Sequence, residues 1–335
     1  MKSAAITGVK KFELVERPEP LIRDNFVKVH VTVAPLCTEF KQYQNGTRGD
    51  ALGHEAAGVV TDVAQPGRVK PGDRVVVMPQ YACGRCELCA AGDYIYCENN
   101  LDPLAYCQSP TGSAAYAQYL IKPDWLLLPI PEDISTEHAA MACCGLGPTF
   151  GAMQRLGVDA FDSLLICGLG PVGLGGVINA TQRGARVIGV ESNPYRAQLA
   201  LRLGAEIVLD PNSRDALDQV RAITGGRGVD AAIDCTGVPA AQKFAIQATR
   251  RRGKVAFVGW GGHVEMDNMV SEGLTLMGVW HWNLHDASRM WQVIRASAGK
   301  LDHLITHRFP MSRMKEAWEL QMTGRCGKVL VDPWK

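Results

Sequence analysis

Between Val27 and Val33 apolar and polar residues alternate without a break (Val27, Lys28, Val29, His30, Val31, Thr32, Val33), the period of a half-buried strand. Gly58–Val63 and Arg74–Met78 read as two more strands. Lys70-Pro71-Gly72-Asp73 between them has proline and glycine where a turn uses them. The opening MKSAAITGVKKFELVERPEP has no apolar leader core and reads as a strand followed by a proline-punctuated turn. Up to about residue 145 the chain is expected to be β-rich with irregular loops.

The texture changes near residue 146. Short apolar runs at Ser163–Cys167, Ala185–Glu191, Glu206–Asp210, Val229–Asp234, Lys254–Gly259 and Leu274–Val279 read as strands. Helical stretches fit between them at about 172–183, 194–203, 213–224 and 239–250. Such alternation predicts a doubly wound parallel sheet wrapped by helices, an α/β fold. Beyond about residue 283, Ala287–Ala298 and Ser312–Met322 read as amphipathic helices and Gly327–Val331 as a closing strand. The expected organisation is a β-rich domain made of residues 1–146 and 283–335, with a nucleotide-type domain, 147–282, inserted into it.

Composition narrows the field. At roughly 100–200 residues per domain, 335 residues suit two domains. A net charge of +1 argues against a nucleic-acid scaffold, which shows a basic excess or face. No apolar run approaches the roughly 18 residues of a spanning helix, so no membrane partner is expected. Four of the eleven cysteines crowd into one stretch, which without a secretory signal reads as metal binding in a reducing cytoplasm.

That stretch is Cys83, Cys86, Cys89 and Cys97, four thiols in fifteen residues, with Gly84 and Gly92 to let the chain wrap an ion. A closed Cys₄ set reads as a structural zinc site, because no position is left for a substrate. A second motif, Gly168-Leu169-Gly170-Pro171-Val172-Gly173, lies between an expected strand and an expected helix. Glycines there allow a tight turn and close approach of a pyrophosphate to a helix N-terminus. Glu191 ends the next strand, the place of a carboxylate that accepts from ribose hydroxyls and repels a 2′-phosphate, which favours NAD over NADP. Arg196 is close enough to contact the adenosine ribose or to pair with Glu191.

Three further fragments say little singly: Cys37-Thr38-Glu39, Gly53-His54-Glu55-Ala56-Ala57-Gly58, and Cys143-Cys144. Together with the four-Cys loop, the Gly168–Gly173 turn, Asp234-Cys235-Thr236-Gly237 and the Gly327–Val331 ending, they resemble the zinc-dependent medium-chain alcohol and polyol dehydrogenases. The resemblance covers essentially the whole chain. It implies a GroES-like catalytic domain, a Rossmann domain carrying Cys235 and Thr236 at its cofactor face, and a substrate cleft between domains. It also implies two zinc ions per chain and a homodimer or homotetramer.

By that resemblance the catalytic zinc takes Cys37, His54 and a cysteine before the nucleotide domain. Alignment favours Cys144, and a slip of one residue would exchange it for Cys143. Glu55 is then an outer group or a fourth ligand. The family usually has Cys-Gly-Thr/Ser-Asp after the first ligand, and this chain departs from it. Read without a gap, Glu39 replaces the hydroxyl that relays the alcohol proton. Read with one residue deleted, Thr38 keeps the relay and Glu39 replaces the Asp. A solvated loop acid is the third reading of Glu39. The implied chemistry is hydride transfer between an alcohol or ketone and the nicotinamide, with the metal as Lewis acid.

Trp280, His281 and Trp282 follow the last strand and form either a pocket wall or packing; Tyr43, Phe150 and Trp260 share that choice. A polyol, sugar-like or cyclitol secondary alcohol is the favoured substrate. An aromatic or simple alcohol is the alternative, as is an inactive NAD-binding relative. A double-bond reductase on the same fold is disfavoured, because such relatives lack both metal sites.

Overall fold

The strand expected from the Val27–Val33 alternation is Phe26–Pro35, with Val27, Val29, Val31 and Val33 buried and Lys28, His30 and Thr32 half-buried between them. It is a central strand of a seven-stranded sheet in a computed structural model that describes residues 1–108, 112–263 and 269–335. The chain divides into two compact units.

The first unit comprises Met1–Cys144, Asn283–Arg295 and Ile305–Lys335. Its strands are β1 (Lys2–Gly8), β2 (Lys11–Glu16), β3 (Phe26–Pro35), β4 (Ala56–Val63), β5 (Arg74–Val77), β6 (Tyr119–Pro123) and β7 (Leu127–Pro129) from the N-terminal part. β1 and β2 make a separate antiparallel hairpin. β4 and β6 flank β3, both antiparallel, with Val31 opposite Gly58. The inward side chains enclose a core that includes Trp318, stacked on Tyr43 and met edge-on by Phe12. Truncating Trp318 to Ala would cost about 3–5 kcal/mol.

The second unit comprises Gly145–Trp282 and Ala296–Leu304. Its strands are β8 (Ser163–Cys167), β9 (Arg186–Val190), β10 (Ile207–Leu209), β11 (Val229–Asp234), β12 (Thr249–Phe257) and β13 (Thr275–Gly278). All pair in parallel, in the order β10-β9-β8-β11-β12-β13. This is the doubly wound order of dinucleotide-binding sheets, which reverses direction beside β8. Cys167 pairs with Val190 and with Asp234, so β8, β9 and β11 end level. The loops after them, 168–170, 191–193 and 235–238, therefore emerge side by side.

Two elements differ from the sequence expectation. β12 starts at Thr249 instead of Lys254: Val229 pairs with Thr249, and the register then jumps so that Ala231 pairs with Lys254. The Arg250-Arg251-Arg252 run occupies that irregular stretch, and Arg252 takes φ 59°. The helix expected to end at Ala298 is two helices, Ala287–Ala296 and Ala298–Leu304, and the latter belongs to the second unit. Its Leu301 and Leu304 are fully buried, and Lys300 Nζ donates to Thr181 Oγ1 at 2.7 Å.

In the first unit, β14 (Ile305–Pro310) and β15 (Lys328–Asp332) extend the large sheet, β15 running antiparallel to β3 with Leu330 opposite Pro35. That pairing brings Lys328 to the end of β3 from which Cys37 follows. Among the described residues no helix is long and apolar enough to cross a membrane.

Candidate functional site

Three chain segments meet in the first unit. Cys37 and Thr38 leave the end of β3, and Glu39 precedes the helix Phe40–Asn45. His54 and Glu55 lead directly into β4. Cys144 lies within the turns after the helix Thr136–Ala140. Cys37, His54, Glu55 and Cys144 thereby bring four donor atoms within 4.8 Å of one another. Two thiols, an imidazole and a carboxylate at that spacing fit zinc.

The two neighbouring cysteines point in different directions. Cys144 Sγ lies 3.3 Å from His54 Nε2. Cys143 Sγ points the other way, buried, and donates to the Val77 carbonyl. The hydrogen bond with Cys144 is the main influence holding the Cys37 thiol well below its ordinary range, against the opposing effect of burial. The same bond, with burial, raises Cys144. The two shifts run in opposite directions because one bond serves both sulfurs, and the thiolate is the metal-binding form.

Glu39 is buried, and its carboxylate is fully engaged. Oε1 lies 2.7 Å from His54 Nδ1, and Oε2 accepts from the Tyr116 hydroxyl at 2.8 Å. The Cys37 amide donates to the same hydroxyl. A carboxylate on Nδ1 fixes the imidazole tautomer and presents Nε2 outward as a ligand. Thr38, beside it, is exposed. The burial of Glu39 and these bonds are not those of a solvated loop acid.

Glu55 is wholly buried. Oε1 accepts from Lys328 Nζ at 2.7 Å and Oε2 from the Cys144 amide at 3.1 Å. Burial pushes its pKa up to about 7, with the Lys328 ammonium pulling against it. Burial likewise works against a charged Lys328, but Glu55, Cys37 and Cys144 outweigh it and hold the ammonium above its ordinary range. Glu55 is 4.0 Å from His54 Nε2, within the cluster yet held on its outer side by two donors.

The four-Cys loop gathers Cys83, Cys86, Cys89 and Cys97 into a second such cluster. Cys86 Sγ is 3.4 Å from Cys89 Sγ and 4.0 Å from Cys97 Sγ. Backbone N–H groups point at the sulfurs, from Arg85 and Cys86 to Cys83 and from Asn99 to Cys97. Bonds from the backbone at Cys89 and Glu98 lower the Cys86 thiol to about 6. Four sulfurs this close become thiolates together only around a cation, and amide donors to sulfur suit zinc.

In the second unit the turn after β8 has the shape a dinucleotide needs. Gly168 takes φ +82°, and a Cβ there would fall 2.3 Å from the Thr236 methyl. A Cβ on Gly173 would lie 2.0 Å from the Gly168 carbonyl oxygen. Gly170 caps the helix Pro171–Gln182, with Pro171 in its first turn and Val172 half-buried beside it. Glu191 braces the turn, Oε2 accepting from the Leu169 amide at 2.9 Å and Oε1 from the Asn193 amide at 2.8 Å. Arg196 does not pair with it; among the described residues its Nε has no hydrogen-bond partner. Cys235 bonds through its amide to the Cys167 carbonyl, and Thr236 Oγ1 donates to Asp234.

Residues 171–296 match the zinc-binding dehydrogenase family, and residues 23–132 match the alcohol dehydrogenase GroES-like domain. The sorbitol dehydrogenase of Bacillus subtilis is 30% identical over 99% of this chain and 97% of its own. The chain belongs to the zinc-dependent medium-chain dehydrogenases. The L-threonine 3-dehydrogenase of Symbiobacterium thermophilum, another relative, is 30% identical over 96% of this chain and 94% of its own. The solved 2R,3R-butanediol dehydrogenase of Bacillus subtilis superposes with a TM-score of 0.84 at 25% identity, covering 99% of both chains.

In this medium-chain dehydrogenase the aromatic run after β13 turns inward only in part. His281 and Trp282 are buried in the second unit, Trp282 edge-on to Phe150, and a Cβ at Gly147 would meet both rings. Trp280 is half-buried against the exposed Trp260. Tyr43 is core, beneath Trp318. Packing accounts for Trp282, Phe150 and Tyr43. Two site residues escaped the sequence reading. Lys328 sits in the recognised Gly327–Val331 ending, where its charge in an apolar strand was the available signal. Tyr116 had no signal, since nothing in its neighbourhood distinguishes it from a core aromatic.

Proposed function

We propose that this enzyme oxidises a secondary hydroxyl of a polyol or sugar-like substrate to a ketone with NAD, and runs the reverse reduction with the same groups. The observation that carries the reading is the mixed Cys37–His54–Cys144 cluster with Glu39 on the far nitrogen of the histidine. Held there, zinc would supply a Lewis acid that lowers the pKa of a hydroxyl, and NAD in the second unit would accept the hydride. Glu39 holds His54 in the Nε2-ligating tautomer. Glu55, tied to Lys328, holds the Cys144 backbone. Thr38 Oγ1, exposed beside Cys37, takes the substrate proton and passes its own to water. Glu191 selects NAD by receiving the ribose hydroxyls that a 2′-phosphate would displace.

The sorbitol and butanediol relatives support a substrate bearing more than one hydroxyl. A second zinc in the four-Cys loop is structural. β13 pairs only with β12 among the described strands. The open edge suits pairing with a second copy, so a homodimer or homotetramer is expected. Thiol-rich sites of this kind belong in a reducing compartment, the cytoplasm.

The test is zinc counted per chain, followed by nicotinamide reduction on a panel of primary, secondary and cyclic alcohols with NAD and NADP in parallel. Two zinc ions and turnover with NAD on polyols support the reading. One zinc and no turnover anywhere would replace it with an inactive nucleotide-binding relative.

A further inference from the structure

Next to the metal cluster, the first unit contains a cavity of about 260 Å³ that His54 lines on one side. Lys122, on β6, lines it on another and is 4% exposed. Its ammonium donates to the Gln80 carbonyl at 2.8 Å and lies 3.7 Å from the centre of the Tyr81 ring. Among the described residues none that lines the cavity is acidic, and Lys122 has no ion-pair partner. Burial pushes its pKa down to about 7. The neighbouring backbone is also unusual: Gln80 takes φ 66°, a left-handed conformation costly for a residue other than glycine.

A buried ammonium without a counter-charge is costly and tends to shed its proton, so an anion entering beside it would restore and pair its charge. A ring face and one carbonyl satisfy an ammonium only in part, since it has three donors. We propose that this cavity takes the carboxylate of a hydroxy-acid substrate, with Lys122 as its counter-charge and His54 marking the side that leads to the reacting hydroxyl. The inference rests on the dehydrogenase reading above and narrows its substrate to polyhydroxy acids. One ammonium balances one carboxylate. A phosphate dianion would leave excess negative charge in a small, largely apolar chamber. The volume is just below the roughly 300 Å³ at which small-ligand sites begin, in keeping with a chain of a few carbons.

The experiment uses the zinc-loaded protein and matched pairs: gluconate with sorbitol, and arabinonate with arabitol, plus arabitol 5-phosphate. Turnover with NAD is measured alongside calorimetric binding to the NADH complex, which needs no chemistry. At least one acid should exceed its neutral partner by about tenfold or more in kcat/KM and in affinity, the equivalent of about 1.4 kcal/mol. In Lys122→Met that ratio should collapse through KM, with kcat for the acid changing far less. Lys122→Gln, which keeps a donor to the Gln80 carbonyl, serves if the Met variant does not fold. Neutral polyols equalling their acids in both measurements would overturn the inference. So would an equal loss on acid and polyol in the variant, the mark of a purely structural lysine. Preference for arabitol 5-phosphate would overturn the carboxylate in favour of a phosphate. Absence of all turnover with an acid-selective, Lys122-dependent binding signal would sink the dehydrogenase reading and leave the anion site standing.

Discussion

Glu39 Oε1 sits 2.7 Å from His54 Nδ1, and Cys144 Sγ sits 3.3 Å from the ring's other nitrogen. The carboxylate therefore determines which imidazole nitrogen is offered to a metal. Glu39→Ala should weaken zinc at this cluster by about 10–100-fold, leaving the four-Cys loop loaded. Competition with a graded chelator measures this, one ion leaving early and the other late. Glu39→Gln keeps an acceptor for Nδ1–H and should fall between. Unchanged release of both ions would remove Glu39 from the site.

The Glu55–Lys328 pair is fully enclosed, with neither side chain exposed. Lys328→Met strands a carboxylate in the interior and should cost about 3–5 kcal/mol in urea unfolding of the zinc-loaded protein. Adding Glu55→Gln should recover part of that loss. A loss no smaller in the double variant would mean the two side chains act independently.

Glu191 receives the Leu169 and Asn193 amides, so it braces the turn proposed to hold NAD. Glu191→Ala should raise KM for NAD and shift the NAD-to-NADP ratio of kcat/KM toward NADP by about tenfold or more. Equal losses on the two cofactors would assign Glu191 to loop support alone.

Asp230 carries a pH signature. Its carboxylate accepts from the Ser163 amide and hydroxyl and from Arg250 Nε at 2.6–2.8 Å. Burial pushes its pKa up, but the Ser163 and Arg250 bonds outweigh this and hold it below the usual carboxylate range. With the folded value below the unfolded value of about 3.9, the contribution is complete above that pH and fades as pH falls through the folded value. Asp230→Asn should therefore lose about 1–3 kcal/mol at neutral pH, and the gap should narrow below about pH 4. Thermal melts of both proteins across that range are the measurement, and a gap independent of pH would refute the assignment.

The Rossmann half was legible because its signals are local. Each β-strand is a short apolar run, each helix follows a loop, and Ser163 to Glu191 spans one β-α-β unit. The Thr249 start of β12 was hidden because three arginines look like a loop, and register in a parallel sheet is set by neighbouring strands. In the site, Cys37, His54 and Cys144 were reachable only through resemblance, since no period connects them. Glu39 stayed ambiguous until its carboxylate was seen on His54, because spacing alone does not tell an acid that turns inward from one that faces solvent. Glu55 and Lys328 stand 273 positions apart, and a contact that long leaves no mark in either flank.

That separation also orders events during synthesis. The four-Cys loop closes within fifteen residues, a short loop with a small entropic cost, so it can capture its ion while the ribosome is still building the rest. The cluster at Cys37 must wait for Cys144, and its buried carboxylate stays unpaired until Lys328 has been translated and β15 has docked on β3. At roughly 5–20 residues per second the interval is tens of seconds. During it the nascent chain holds a closed four-Cys loop and an unfinished, thiol-bearing centre, the stage at which a competing soft metal has its best access.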